Sequence, residues 1–307
     1  MMKYEIKIDK GPEAKGTIDL QRLGALAESF RKIAEGALQI RLRGVSFTKG
    51  KKKLSLYDAL KVSISGIKGG STILCLDTEQ FGKTLEPYQT DIFRQEAQQA
   101  LPGETPVSLF ISTFKLALDG GKDQELLDKQ LLKQLKQFKS VFLNDDEILT
   151  ISNQGSIPEL ILKKEDFNKI KVLEEEIPDS EPIILNGIVD ELKYSKLKVK
   201  IQTAEGIVDG FLSENLSSEK IAQYWGKEVT ITGTAHFKPG GKSVIEINNI
   251  FEPGKGDSYF SRKPKTETVE QQLQRQIREK GGNRFSEIVG KWPGDEDFED
   301  LLKMLTK

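Results

Sequence analysis

Leu197-Lys198-Val199-Lys200-Ile201-Gln202, followed across Thr203-Ala204-Glu205-Gly206 by Ile207 to Leu212, decides the reading of the fold. Leu197, Val199 and Ile201 alternate with Lys196, Lys198 and Lys200, a period of two that marks a half-buried strand. The flanking segments repeat the pattern. Ile183 to Leu192 precedes it, and Glu228 to His236 and Ser243 to Phe251 follow. Between the third and fourth segments, Ser218 to Trp225 reads as a short helix with serine capping and Glu219 in its first turn. Three strands, a helix and two more strands therefore occupy residues 183–252. Asn186-Gly187 and Thr232-Gly233 fall inside the first and fourth strands, where a small barrel needs bends.

This element order, with Gly187 and Gly233 in place, resembles an OB-type barrel. An SH3-like barrel is the competing architecture. The basic face of the second strand, with Tyr194, Lys196, Lys198 and Lys200, reads as a surface for single-stranded nucleic acid, since single-strand-binding barrels present such a face. Lysines on an outer strand face also discourage edge pairing, so the same pattern has a structural reading.

Upstream, Tyr4 to Ile8 reads as a strand and Asp19 as the cap of a long helix. Leu20, Leu23, Leu26, Ala27, Phe30, Ile33, Ala34, Ala37 and Leu38 trace its apolar stripe. It ends near Arg41, Arg43 and Gly44. Leu60 to Ser65 and Ile73 to Leu76 form a hairpin signal across Lys68-Gly69-Gly70-Ser71. Helical patterns run from Pro106 to Leu118 and from Gln124 to Phe142. Two short strands, Ile148 to Ile151 and Leu160 to Leu162, precede an acidic, Pro-containing stretch, Glu174 to Pro182, that reads as a linker.

The expected fold class is α+β. An N-terminal helix-on-antiparallel-sheet domain with a helical extension covers 1–142. Short strands and a linker follow at 143–182, a five-stranded OB-like barrel at 183–252, and a tether with a helical tail at 253–307.

The tail carries the leading functional signal, to which nucleic-acid binding by the barrel is the alternative. After a polar helix, Thr266 to Lys280, and Gly281-Gly282, the chain reads Gly290-Lys291-Trp292-Pro293-Gly294-Asp295-Glu296. Phe298, Leu301, Leu302 and Leu305 then fall on one helical face, with acids crowding the helix start. So short a helix is not stable alone in water and needs a surface to dock on. The string resembles the C-terminal tails of bacterial antitoxin-like proteins. That resemblance implies a non-enzymatic interaction protein binding a protein partner, such as an adjacent-gene toxin. Phe285, Trp292, Phe298, Leu301, Leu302 and Leu305 are then the partner-binding residues. Trp292 is either a pocket anchor or a staple over Pro293.

Composition bounds the alternatives. The 307 residues carry a net charge of −1, so no global basicity announces nucleic acid. Cys75 and His236 are the only residues of their kinds. Intrachain disulfides and multi-histidine metal sites are thereby excluded. No nucleophile–base pair stands out, so no catalysis and no cofactor is expected. The N-terminus lacks an apolar signal core and no stretch is long enough to span a membrane, so a cytoplasmic protein is the expectation.

Three weaker candidates complete the reading. Lys49 and Lys51 to Lys53, with Arg41 and Arg43, are either phosphate contacts or a solvated loop tip. Lys68 to Thr72 is either an anion cradle or a hairpin turn. Asp145, Asp146 and Glu147 are either metal ligands or a turn.

Overall fold

Alternation in Met2–Asp9 (β1) places Tyr4, Ile6 and Ile8 on a buried face and Lys3, Glu5 and Lys7 on the other. The computed structural model describes residues 1–47, 54–68, 72–85, 101–120, 123–153, 159–193, 198–213, 216 and 221–280. Val62–Lys68 (β2), Thr72–Thr78 (β3), Ile148–Ser152 (β4) and Leu160–Lys163 (β5) join β1 in one antiparallel sheet of order β2-β3-β1-β4-β5.

The two short strands expected between domains thus complete the first sheet. Their partner β1 lies more than 130 residues earlier, and no local pattern announces so distant a pairing.

Helix α1 (Leu20–Arg43) begins at Asp19, whose carboxylate accepts from Gln21 N at 2.8 Å and Arg22 N at 3.1 Å. Its stripe buries Leu26, Phe30, Ile33, Ala34, Ala37 and Leu38. Leu20 and Ala27, expected on that stripe, are exposed instead. Leu20 is the first residue of the helix.

Helices α2 (Pro106–Asp119) and α3 (Lys129–Gln137) pack beside α1, and α4 (Phe167–Glu175) packs on α3 and α2. Phe30 stacks on Phe110 at 4.4 Å, and Phe114, Phe138, Phe142 and Phe167 continue the aromatic cluster, mostly edge to face.

The stretch expected as a linker is held at both ends. Buried Glu174 pairs with Lys136, and Asp179 lies 3.1 Å from Lys129 and 3.5 Å from Lys133.

The second sheet is a closed barrel of Glu181–Lys193 (β6), Lys198–Thr203 (β7), Gly206–Leu212 (β8), Glu228–Lys238 (β9) and Lys242–Phe251 (β10). Its order is β10-β8-β7-β6-β9, closed by β9 against β10, with β8 and β10 parallel and the other pairs antiparallel.

Val199 and Ile201 point into the barrel beside Leu185, Val189, Val208, Ile231 and Ile247. Lys198 and Lys200 alternate with them on the outer side. Ile221 of the expected Ser218–Trp225 helix is buried in this core, while most of that helix's first turn lies outside the described residues.

Gly187 and Gly233 mark close strand approaches. A Cβ at Gly187 would sit 2.5 Å from the Gln202 carbonyl oxygen, and one at Gly233 would meet the Glu246 carbonyl. Ala235 and Phe237, toward the C-terminal end of β9, pack into the core of the first sheet and its helices. Barrel and first sheet therefore belong to one compact unit, Met1–Thr266.

The second unit, Glu267–Lys307, is described only through helix α5 (Val269–Lys280). The sequence suggests a polar helix here. The structure adds an apolar stripe of Val269, Leu273 and Ile277, which are 84%, 45% and 43% exposed. Among the described residues, no helix is long and apolar enough to cross a membrane.

Candidate nucleic-acid interface

The C-terminus of α1 faces the outer surface of β7, β8 and β10 across a cleft of about 520 Å³. Asp19 sets the start of α1, and Gly44 terminates it at φ 92°, donating its N–H to the Ile40 carbonyl at 2.8 Å. Arg41 and Arg43 are thereby delivered to the cleft wall. The period-two pattern of β7 contributes Lys198 and Lys200. The β9–β10 hairpin contributes Lys238 and Lys242 from either side of Pro239-Gly240-Gly241, and Lys263 enters from the segment after the barrel.

Among the described residues, these seven cations line the cleft with three acids, Glu125, Glu191 and Asp209. The whole chain carries a net charge of −1, so the cleft concentrates positive charge that the composition hides.

The cations are ordered by specific partners. Lys200 pairs with Glu191 at 2.5 Å, and Lys242 with Glu125 at 2.7 Å. Lys242 is held above the usual lysine pKa by its bond to Glu125, and Lys200 by its bond to Glu191. Arg41 donates to the Ala37 carbonyl at 3.2 Å and to Ser112 Oγ at 3.4 Å.

Lys238 differs from the rest. It is only 7% exposed and donates to the Glu125 backbone carbonyl at 2.5 Å. Burial pushes its pKa down to about 8, opposed by Asp128 and Glu125. Asp128 is itself occupied, accepting from Ser46 N and Oγ at 2.7 and 2.6 Å and capping α3 through Leu131 N.

The structure joins residues that the sequence offers separately. Arg41 and Arg43 read most naturally with the Lys49–Lys53 cluster, yet they meet barrel lysines more than 150 residues away. Lys238, Lys242 and Lys263 are missed by sequence reasoning. Their only signal is that Lys238 and Lys242 flank a Pro-Gly-Gly turn. Lys198 and Lys200 line the cleft as expected residues, whereas Tyr194 and Lys196 lie outside the described residues. So do Lys49 and Lys51 to Lys53, Gly69 to Ser71, and the tail residues Phe285, Trp292, Phe298, Leu301, Leu302 and Leu305.

The acidic triplet is divided between structural partners. Glu147 accepts from Arg22 Nη2 at 2.5 Å and from Leu143 N at 2.9 Å, whereas Asp145 pairs with Lys164 at 2.7 Å. Among the described residues no three His, Cys, Asp or Glu side chains converge as metal ligands. His236 lies outside the cleft's lining, 3.3 Å from Glu246 Oε2 and 3.1 Å from Ser180 Oγ.

Compared with known proteins, the chain matches no family model, no curated protein and no solved structure.

Proposed function

We propose that this chain is a non-enzymatic, single-stranded nucleic-acid-binding protein that holds the strand in the cleft between an OB-type barrel and the end of α1. One observation carries the reading. The cleft is lined by the barrel's second and third strands, β7 and β8, and by the hairpin between its fourth and fifth, and it is the basic face. OB-type barrels bind oligonucleotides and oligosaccharides on this face and its neighbouring loops. The excess of cations favours the polyanion over the sugar. The strand order, with the third strand parallel to the fifth, supports the OB assignment.

Binding of a fluorescein-labelled dT15 strand, followed by anisotropy at 50 mM salt, tests this. Wild type binds, and Lys198→Glu with Lys200→Glu abolishes binding without lowering the melting temperature. A wild-type chain that leaves the anisotropy flat at low salt refutes the reading.

A second reading concerns the C-terminal unit, as an antitoxin-like element that binds a protein partner. The exposed stripe of Val269, Leu273 and Ile277 on α5 favours it, because it adds an uncovered apolar face just upstream of the Trp292 and Phe298–Leu305 segment. The two readings are compatible, with the cleft engaging nucleic acid and the tail a partner.

A further inference from the structure

After β10 the chain does not leave the barrel. Asp257 accepts from Thr230 Oγ1 and from Gly254 N, both at 2.7 Å, and this fixes the turn Asp257–Phe260 against the strands. Both bonds hold the Asp257 carboxyl below the usual range. Ser261 accepts from Ala204 N at the tip of the β7–β8 hairpin, 2.9 Å to its hydroxyl. Lys263 N donates to Glu205 at 2.9 Å, and the Lys263 ammonium lies 3.1 Å from the Cβ position of Gly206. From there it enters the cleft.

A segment pinned at so many points still holds two aromatic rings in solvent. Tyr259 is 72% exposed and Phe260 36%. Their rings meet edge to face at 5.6 Å, and the Arg262 guanidinium sits 5.6 Å from the Tyr259 centroid. None of the pinning bonds uses either ring, so the scaffold positions the rings and does not consume them.

We infer that Tyr259 and Phe260, with Arg262, form a base-stacking platform on the segment that carries Lys263 into the basic cleft. The inference rests on the nucleic-acid reading and deepens it. The cleft cations supply phosphate contacts, which are indifferent to the base. Tyr259 and Phe260 supply faces on which unstacked bases lie, and Arg262 adds a second planar surface or a phosphate contact. Four residues of chain reach at most about 14 Å, so Tyr259 lies within a few nucleotides of Lys263. OB-type folds commonly cover sites of about 4–16 nucleotides, so one strand engages both. The ligand class is therefore a single strand bearing accessible bases, and not any polyanion.

The test compares dT15 with an abasic strand of the same length and charge, using wild type and a Tyr259→Ala, Phe260→Ala variant. The variant is expected to lose at least tenfold in affinity for dT15, to bind the abasic strand as wild type does, and to keep the salt dependence unchanged. Tyr259→Trp is expected to retain dT15 binding. Equal affinity of wild type and variant for dT15 overturns the platform while leaving the cleft reading intact. So does an equal weakening toward both strands, which would mean that the rings only support the scaffold. A wild-type chain that binds neither strand at low salt refutes the underlying reading itself.

Discussion

Lys238 provides the sharpest physical test of the cleft's design, because its charge burdens the fold. Below about pH 8 the side chain is protonated in both the folded and the unfolded chain, and folding bears the full cost of desolvating it. Between about 8 and 10.5 the unfolded chain still binds the proton and the folded chain does not, so this group makes stability rise with pH. Above 10.5 both states are neutral and the contribution vanishes. The gap between 10.5 and about 8 corresponds to about 3 kcal/mol. Lys238→Met keeps an unbranched stem of similar length and removes the charge. It also removes the bond to the Glu125 carbonyl, worth roughly 1 kcal/mol. The variant is therefore expected to be about 2 kcal/mol more stable than wild type at pH 7. Its advantage should shrink to nothing, or reverse, by about pH 10.5. Urea titrations at pH 7, 8, 9 and 10 read this as a midpoint raised by about 1 M at neutral pH, with an unchanged slope. Affinity for an anionic strand should fall in the same variant. A variant less stable than wild type at pH 7, or a difference that does not move with pH, refutes the assignment of a desolvated cleft lysine.

Other consequences follow from particular contacts. Glu147→Ala leaves the buried Arg22 with Glu13 at 2.6 Å and the Val141 carbonyl at 3.1 Å but without its Nη2 partner, and removes the acceptor of Leu143 N, so thermal or urea unfolding should show a loss of about 3 kcal/mol. Gly187→Ala forces a Cβ against the Gln202 carbonyl, and the barrel should lose about 3 kcal/mol by the same assay. For the tail reading, truncation at Gly282 should leave the melting temperature of the Met1–Thr266 unit in place while removing a co-purifying partner. Trp292→Ala should weaken that partner's binding by about 2 kcal/mol. Unfolding of the body on truncation, with co-purification intact, would make the tail an internal clasp.

The barrel was legible because its evidence is local. Each strand states its facing in its own alternation, as Val199 and Ile201 do against Lys198 and Lys200, and the glycines at 187 and 233 mark bends within single strands. The first sheet was only half legible. Its hairpin β2–β3 is adjacent in sequence, but β4 and β5 pair through β1, and nothing in Ile148–Ser152 names so distant a partner. The contacts of the acidic stretch Glu174 to Pro182 were hidden for a related reason. Glu174 looks solvated in sequence but is buried, and the lysine partners of Glu174 and Asp179 lie on α3, 38 to 50 residues away. The cleft was least legible, since its charge is assembled from α1, two hairpins and the post-barrel segment, each unremarkable alone. Phe237 shows the same limit, because its strand position reads as barrel while its side chain belongs to the other core.

The central claim is that one strand is held from both sides, by α1 and by the barrel. The salt dependence of dT15 affinity tests it most directly, measured for wild type, Arg43→Gln, Lys198→Gln and the pair combined. Each single-strand phosphate contact contributes about −0.7 to the slope of log K against log salt. The account predicts a steep wild-type slope that each single substitution makes shallower by about one contact, with the double variant losing both. A wild-type slope near zero, or one that Lys198→Gln reduces and Arg43→Gln leaves unchanged, would contradict it.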